Sequence, residues 1–262
     1  MHILITNDDG VHAPGLLAIV QAMRKIAEKV TVLAPDHNWS ASGHVKTLHR
    51  PLRVNKVELE DGTSAWASDG APSDCVAMAK LGFVQEKIDL VVSGINPNAN
   101  IGHDLTYSGT VTAAMEAAIW GIPGVAVSLD RPEGLSGPVN YQPAAEAAQA
   151  IVEWLWAQAD LPQETILNVN VPYGPLSEMK GFRVTRQGLR IYRDELLRRL
   201  DPRGKPYFWI GGDLPTGVEE PGTDYGALAA GFVSITPIQL DLTCKMMQDW
   251  FDDRGFDRIL SS

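Results

Sequence analysis

The run His2-Ile3-Leu4-Ile5-Thr6-Asn7-Asp8-Asp9-Gly10-Val11-His12-Ala13-Pro14 decides how the chain is read. An apolar run, Ile3 to Ile5, stops abruptly at Asn7-Asp8-Asp9-Gly10. Beyond the loop, Leu16, Val20, Met23 and Ala27 recur at helical spacing, with Leu17 and Ile19 widening the stripe. This pattern spells buried strand, polar loop, helix. In an open α/β sheet ligands bind outside the carboxyl ends of the strands, so the loop stands where a site belongs. Two adjacent carboxylates there repel each other, and a divalent cation is the simplest means of keeping both ionised. Taken alone, Asp-Asp-Gly fits a turn and helix-cap cluster equally well. The rest of the chain decides between the two.

Strand and helix patterns keep alternating through about the first half. Val30–Ala34 is a second apolar run, ending in the polar loop Pro35 to Gly43. Leu52 to Leu59 alternates as an exposed strand does, and Ala71-Pro72-Ser73-Asp74 opens a helix to about Leu81, with Ser73 as its cap. Ile88–Val92 is a third strand, followed by Ser93-Gly94-Ile95-Asn96-Pro97-Asn98-Ala99-Asn100-Ile101-Gly102. Ser108-Gly109-Thr110 opens an Ala-rich helix that closes at Gly121. Val125–Leu129 and Thr165–Val171 are further strands, flanking a helix over Pro143–Ala159. The expected fold is α/β, a doubly wound, mostly parallel sheet. Later, Phe182–Tyr192 and Tyr207–Ile210 are strand-like and joined by a charged insert, Arg193–Lys205, that is too polar to bury. Such an arm packs more often on a neighbouring subunit than on its own core. Phe232–Ile238 reads as a strand and Lys245–Phe251 as a terminal helix. No firm domain boundary is visible: one domain spans 1–262, with a core over about 1–175 and an arm with C-terminal elements over about 176–262.

A net charge of −10 disfavours nonspecific binding to nucleic acid or anionic membranes, though a metal can invert the local field for a small anion. Cys75 and Cys244 sit in separate apolar contexts without metal-like spacing, so both are expected as buried thiols in a reducing compartment. No apolar run is long enough to span a membrane and no leader precedes the first strand, so the expectation is a cytoplasmic protein.

Three strand ends gather the unusual polar groups: Asp8 and Asp9, then Ser40, then Asn96. All offer oxygen, which selects a hard cation, Mg²⁺, Mn²⁺ or Ca²⁺, over zinc or copper. Few protein ligands leave positions for water and a phosphoryl group. At Ser108-Gly109-Thr110 a helix N-terminus offers free N–H groups to an anion, and Gly109 would let a phosphate approach the backbone. Asn96, Asn98 and Asn100 are candidate phosphate donors, although turn formation around Pro97 explains the last two as readily. Among the loop histidines His12, His44 and His103, the last is the best placed for proton transfer, between the asparagine loop and the anion-binding helix start.

These stretches match a known pattern. Asn7-Asp8-Asp9-Gly10-Val11-His12-Ala13-Pro14-Gly15, Pro35-Asp36-x-Asn38-x-Ser40, Gly70-x-Pro72-x-Asp74-Cys75, Ser93-Gly94-Ile95-Asn96 and Tyr107-Ser108-Gly109-Thr110-Val111 resemble the SurE family, as do Thr223-Asp224 and Val233-Ser234-Ile235-Thr236-Pro237. The resemblance covers essentially the whole chain in order. It implies a Rossmann-like N-terminal part and a smaller C-terminal part that exchanges segments between subunits in homodimers or homotetramers. It also implies a metal-dependent 5′-nucleotidase acting on nucleoside monophosphates, with 3′-nucleotides and short polyphosphate as further substrates. By that likeness Asp8, Asp9, Ser40 and Asn96 match the ligands of one divalent ion, Mg²⁺ or Mn²⁺, per subunit. Asp8 and His103 are then the catalytic candidates; Asn96, Asn100, Ser108, Gly109 and Thr110 hold phosphate. One departure is Asn98, where the family pattern has glycine; asparagine tolerates positive φ best after glycine, which would keep the loop shape.

Two other schemes fit the sequence less well. A phosphatase with an aspartyl-phosphate intermediate wants a second Asp two positions after the nucleophile, but Gly10 follows Asp8 and Val11 follows Asp9 at that spacing. A non-enzymatic nucleotide-binding module wants a glycine-rich first turn, where this chain presents two carboxylates.

Overall fold

The computed structural model describes residues 1–162 and 164–255. Its strands in chain order are β1 (His2–Thr6), β2 (Lys29–Pro35), β3 (Val54–Glu58), β4 (Ser64–Ser68), β5 (Leu90–Asn96), β6 (Gly124–Asp130), β7 (Ile166–Pro172), β8 (Phe182–Val184), β9 (Arg190–Leu200), β10 (Pro206–Gly217) and β11 (Val233–Ile238). The helices are α1 (Pro14–Met23), α2 (Pro72–Met78), α3 (Gly109–Ile119), α4 (Gln142–Trp156), α5 (Asp224–Ala229) and α6 (Lys245–Asp252). Nine strands form one sheet in the order β3-β4-β2-β1-β5-β6-β7-β11-β8. Within it only the β3/β4 and β7/β11 pairs are antiparallel.

β1 shows why the sheet is covered on both faces. Successive strand side chains point to opposite sides. Ile3 and Ile5 join the cluster that includes Leu16 and Ile19 of α1 and Ala148 of α4. Leu4 joins Cys75 and Val76 of α2 with Ala113 and Ala117 of α3 on the other side. A strand buried on both faces has to be apolar throughout, which is why Ile3–Ile5 shows no polar alternation. Gly15 brings α1 against β5, since a Cβ there would lie 2.2 Å from the Ile95 carbonyl oxygen.

β1 is flanked by β2 on one side and β5 on the other, so the strand order reverses across it. That reversal opens a crevice at the carboxyl ends of β1, β2 and β5. The doubly wound, mostly parallel sheet is therefore as the sequence pattern indicates.

Several details differ from the sequence reading. The cap of α2 is not Ser73: the helix starts at Pro72, and Asp74 folds back to accept from the Ala71 N–H at 3.0 Å, while Ser73 Oγ donates to the Val45 carbonyl. Strand β4 and helix α5 went unread because each is short. The stretch Phe182–Tyr192 is not one strand. It splits into β8, within the main sheet, and the start of β9. The charged insert itself continues β9 to Leu200 and pairs antiparallel with β10, so the arm is a long two-stranded ribbon. Cys75 is buried as expected, but Cys244 is exposed at the start of α6. Among the described residues no helix is long and apolar enough to cross a membrane.

Candidate active site

The turn after β1 is closed by Asn7. Its amide donates to the Gly10 carbonyl at 2.9 Å and its Oδ1 accepts from the Gly10 N–H at 3.2 Å. The loop after β2 locks onto this turn through Val11 N–H to Pro35 O and Trp39 N–H to Asp8 O, both 2.7 Å. These bonds hold Asp8 and Asp9 side by side at the switch point.

Asp8 is 4% exposed and points at the start of α3. Its Oδ1 accepts from the Thr110 hydroxyl, and backbone N–H groups of Gly109 and Thr110 also favour its charged form. Burial nonetheless outweighs these bonds and raises its pKa above the ordinary carboxylate value. Asp9, half-buried, is pushed up to about 6, by burial first and the Asp8 charge second. Its Oδ1 accepts from Asn38 Nδ2 at 3.3 Å. The helix N-terminus thus does hold an anion, and that anion is Asp8.

This changes the roles of Gly109 and Thr110. A Cβ on Gly109 would lie 2.7 Å from Asp8 Cβ and 3.0 Å from Asp8 Oδ2. The close approach that glycine permits is therefore made by the carboxylate, and the Thr110 hydroxyl is also committed to it. Ser108 caps α3, its Oγ accepting from the Val111 N–H at 3.2 Å.

A depression of about 240 Å³ lies here, walled by Asp8, Ser40, Asn96, Asn98, Asp104 and Ser108 among others. Asn96 Nδ2 donates to the Asn98 carbonyl at 2.5 Å, which leaves Oδ1 as the atom Asn96 can offer. Asn100 also reaches the wall, but its Nδ2 donates to Ser128 Oγ and its N–H to Asn170 Oδ1, each at 2.8 Å. Its carbonyl accepts from both Asn168 and Asn170. Asn100 is a brace between the loop and β6–β7, and its amide is not turned to a phosphate. Asn98 does not adopt positive φ; among described non-glycine residues only Ala41 does, at 57°.

His103 is exposed and lies off the wall, which its neighbour Asp104 supplies instead. The expected proton-transfer role thus finds no support in its placement. His12 is exposed too, and His44 pairs with Glu116 at 2.9 Å. Sequence reasoning missed Asn7 and Asp104. The symmetric fit of an Asx side chain to a turn three residues on was the available signal for Asn7. Nothing local marked Asp104.

Among the described residues no three His, Cys, Asp or Glu side chains cluster as a metal site. Any cation here relies on two carboxylates, the Ser40 hydroxyl and Asn96 Oδ1. That donor set fits a hard ion, and the raised pKa values of both aspartates show that their burial lacks full compensation from protein groups.

A parallel-cored sheet with its polar depression at the point of strand-order reversal defines a Rossmann-like α/β protein. A family model described as Survival protein SurE matches residues 3–194. The chain is 51% identical over 243 residues to "5'-nucleotidase SurE" of Herpetosiphon aurantiacus, covering 93% of this chain and 94% of that one. It is 46% identical over 255 residues to the protein of the same name from Geobacter sulfurreducens, covering 95% and 94%. The crystal structure of SurE from Aquifex aeolicus superposes with a TM-score of 0.79 at 38% identity, covering 97% of this chain and 100% of that one. The chain belongs to the SurE family.

Proposed function

We propose that the protein hydrolyses phosphomonoesters, with nucleoside 5′-monophosphates as substrates, and needs one divalent ion, Mg²⁺ or Mn²⁺, per subunit. The observation that carries this is the adjacent pair at the switch point, Asp8 buried against the start of α3 and Asp9 half-buried beside it. The names of the relatives support the substrate class. Asp8, Asp9, Ser40 and Asn96 Oδ1 would hold the ion, which when bound polarises a phosphoryl oxygen and acidifies water. The residues of this chain supply the rest. Asn7 and Thr110 fix the two carboxylates, and the hydroxyl of Ser108 with the amide of Asn98 stands at the wall to bind phosphate oxygens. A depression of about 240 Å³ holds the phosphate end rather than a whole nucleotide, so 3′-nucleotides and short polyphosphate enter on similar terms. The chain works in the cytoplasm as a homodimer or homotetramer, with the β9–β10 arm as the subunit contact; that ribbon carries exposed apolar side chains on both faces.

The test is phosphate release from nucleoside 5′-monophosphates, 3′-monophosphates and polyphosphate, with Mg²⁺, Mn²⁺ or EDTA. Release that EDTA abolishes and Mn²⁺ restores is expected. Release untouched by EDTA removes the metal from the scheme, and no release from any substrate leaves a binding module.

A further inference from the structure

The depression and the arm meet at Asp104. Its Oδ1 accepts from the Tyr192 hydroxyl at 2.6 Å, and its Oδ2 lies 2.9 Å from Arg190 Nε. Both partners belong to the first turn of the ribbon, at the start of β9. Burial and the Asp104 carboxylate raise the Tyr192 pKa, so the hydroxyl keeps its proton and donates. Behind this contact, fully buried Asp224 stitches the same two segments together. It accepts from the N–H groups of Gly102 and Gly188, each at 2.8 Å. The fit leaves no room for side chains: a Cβ on Gly188 would lie 2.7 Å from Asp224 Oδ1, and one on Gly102 would lie 2.8 Å from the Gly188 carbonyl oxygen.

What Asp104 holds matters for the site. Its carbonyl accepts from the N–H groups of Tyr107 at 3.0 Å and Ser108 at 3.1 Å. That turn delivers Ser108 to the wall and Gly109 to its contact with Asp8. Asp104 is thus linked, through this turn and Gly109 five residues on, to the Asp8 carboxylate on the wall.

We propose that Arg190 and Tyr192 are positioning residues for the hydrolytic reaction, acting through Asp104 to fix the rim from Asp104 to Ser108. The seating of the arm's root then sets the geometry of the site. The inference rests on the phosphohydrolase reading above.

A double-mutant cycle tests it on the full-length chain with Mn²⁺ present: Tyr192→Phe, Asp104→Ala and the two combined. Tyr192→Phe loses one hydroxyl at a partly exposed position, so the melting temperature should stay close to wild type. Its kcat/KM for a nucleoside 5′-monophosphate should fall about three- to tenfold, the range for an ordinary intramolecular hydrogen bond. The double variant should be no slower than Asp104→Ala, because Tyr192 then has nothing to hold. Amide hydrogen exchange should quicken at residues 105–109 in Tyr192→Phe. Effects that multiply in an active enzyme, or exchange at 105–109 unchanged by Tyr192→Phe, overturn the positioning role while leaving the hydrolase reading intact. A wild-type chain that releases no phosphate overturns that reading first, and this inference with it.

Discussion

The switch-point face and the β9–β10 ribbon are built on opposite terms. At the switch point the polar groups that build the turn meet partners in the same chain: Asn7 with Gly10, Asp8 with Thr110, Asn100 with Ser128 and Asn170, although Thr6, Trp39, Ser42 and Ser93 each keep a buried polar atom without one among the described residues. In the ribbon the apolar groups go unmet. Trp209 pairs across the strands with Leu197, and Ile210 with Leu196, so alternation puts apolar pairs on both faces. Trp209 remains 62% exposed and Ile210 81%. A two-stranded ribbon is marginal alone in water, and an apolar surface of this kind marks a contact with another surface. One region is held largely by bonds within the chain; the other leaves apolar side chains exposed.

The sharpest way to break this contrast is at Asp9. Asn keeps the shape but removes a charge from the proposed ion shell. Asp9→Asn is expected to lower turnover by roughly two orders of magnitude or more. The metal-free protein should melt no lower than wild type, because the substitution also removes repulsion between the half-buried Asp9 carboxylate and the buried one of Asp8. Near-normal turnover at limiting Mn²⁺ would show that the pair is a structural turn after all.

Next comes Gly109. If the α3 N-terminus served phosphate directly, Gly109→Ala would weaken phosphate binding and leave metal affinity alone. With a Cβ placed 2.7 Å from Asp8 Cβ, the carboxylate has to move. Calorimetry in the absence of substrate should therefore show Mn²⁺ binding weakened by about tenfold or more, together with reduced turnover. Mn²⁺ affinity within twofold of wild type would return Gly109 to the role expected from sequence.

A smaller effect is expected about two turns further along the same helix. Glu116 is buried and accepts from His44 at 2.9 Å, Lys46 at 3.1 Å and Trp120 Nε1 at 2.8 Å. Burial alone would raise its pKa; the His44, Trp120 and Lys46 hydrogen bonds and the Lys46 charge outweigh it and hold the group at about 2. A depressed carboxylate pKa adds stability above the unfolded value, and that contribution is lost as pH falls through the folded value. Glu116→Gln should cost about 1–2 kcal/mol at neutral pH, discounted because His44 and Lys46 are partly exposed. The difference should shrink as pH falls below the unfolded value of about 4.5 and be gone only below the folded value of about 2. A pH-independent gap in urea denaturation would mean that lost packing, not charge, explains it.

The contrast between regions also explains what the sequence could tell. Ile3–Ile5 and Val30–Ala34 were legible because burial on both faces forces apolar runs; Ile88–Val92 was legible only in part, since β5 runs Leu90–Asn96 and takes in Ser93 to Asn96, which read as loop. Asp8, Ser40 and Asn96 still pointed to one place, and the structure puts all three on one wall. What stayed hidden depends on contacts distant in sequence. Gly109 meets Asp8, Asp104 meets Tyr192, and Asn100 meets Asn170, and no local spacing encodes such pairs. The ribbon misled for a related reason. Periodicity separates buried from exposed faces, and a strand that presents apolar side chains on both sides beside arginines has neither pattern.

The slightest effect is expected at the two cysteines, one buried in α2 and the other at the start of α6. Cys75 is buried within α2, and burial together with Asp74 raises its thiol pKa far above the ordinary range. It should resist iodoacetamide until the chain unfolds, since only the thiolate attacks. Cys244 is exposed at the cap of α6, the helix whose Met246 and Trp250 also face outward. In a monomer it should label at the rate of a free thiol at every protein concentration, with turnover unchanged. If the C-terminal elements are covered by a second copy, labelling should slow as concentration rises, in step with the mass seen by light scattering. Deleting Arg193–Lys205 should then lower that mass and restore fast labelling. A rate that ignores both concentration and the deletion would leave α6 uncovered in the assembly and confine any subunit contact to the ribbon. An unchanged mass after the deletion would remove the ribbon too, and the region would stand as exposed surface with no role in assembly.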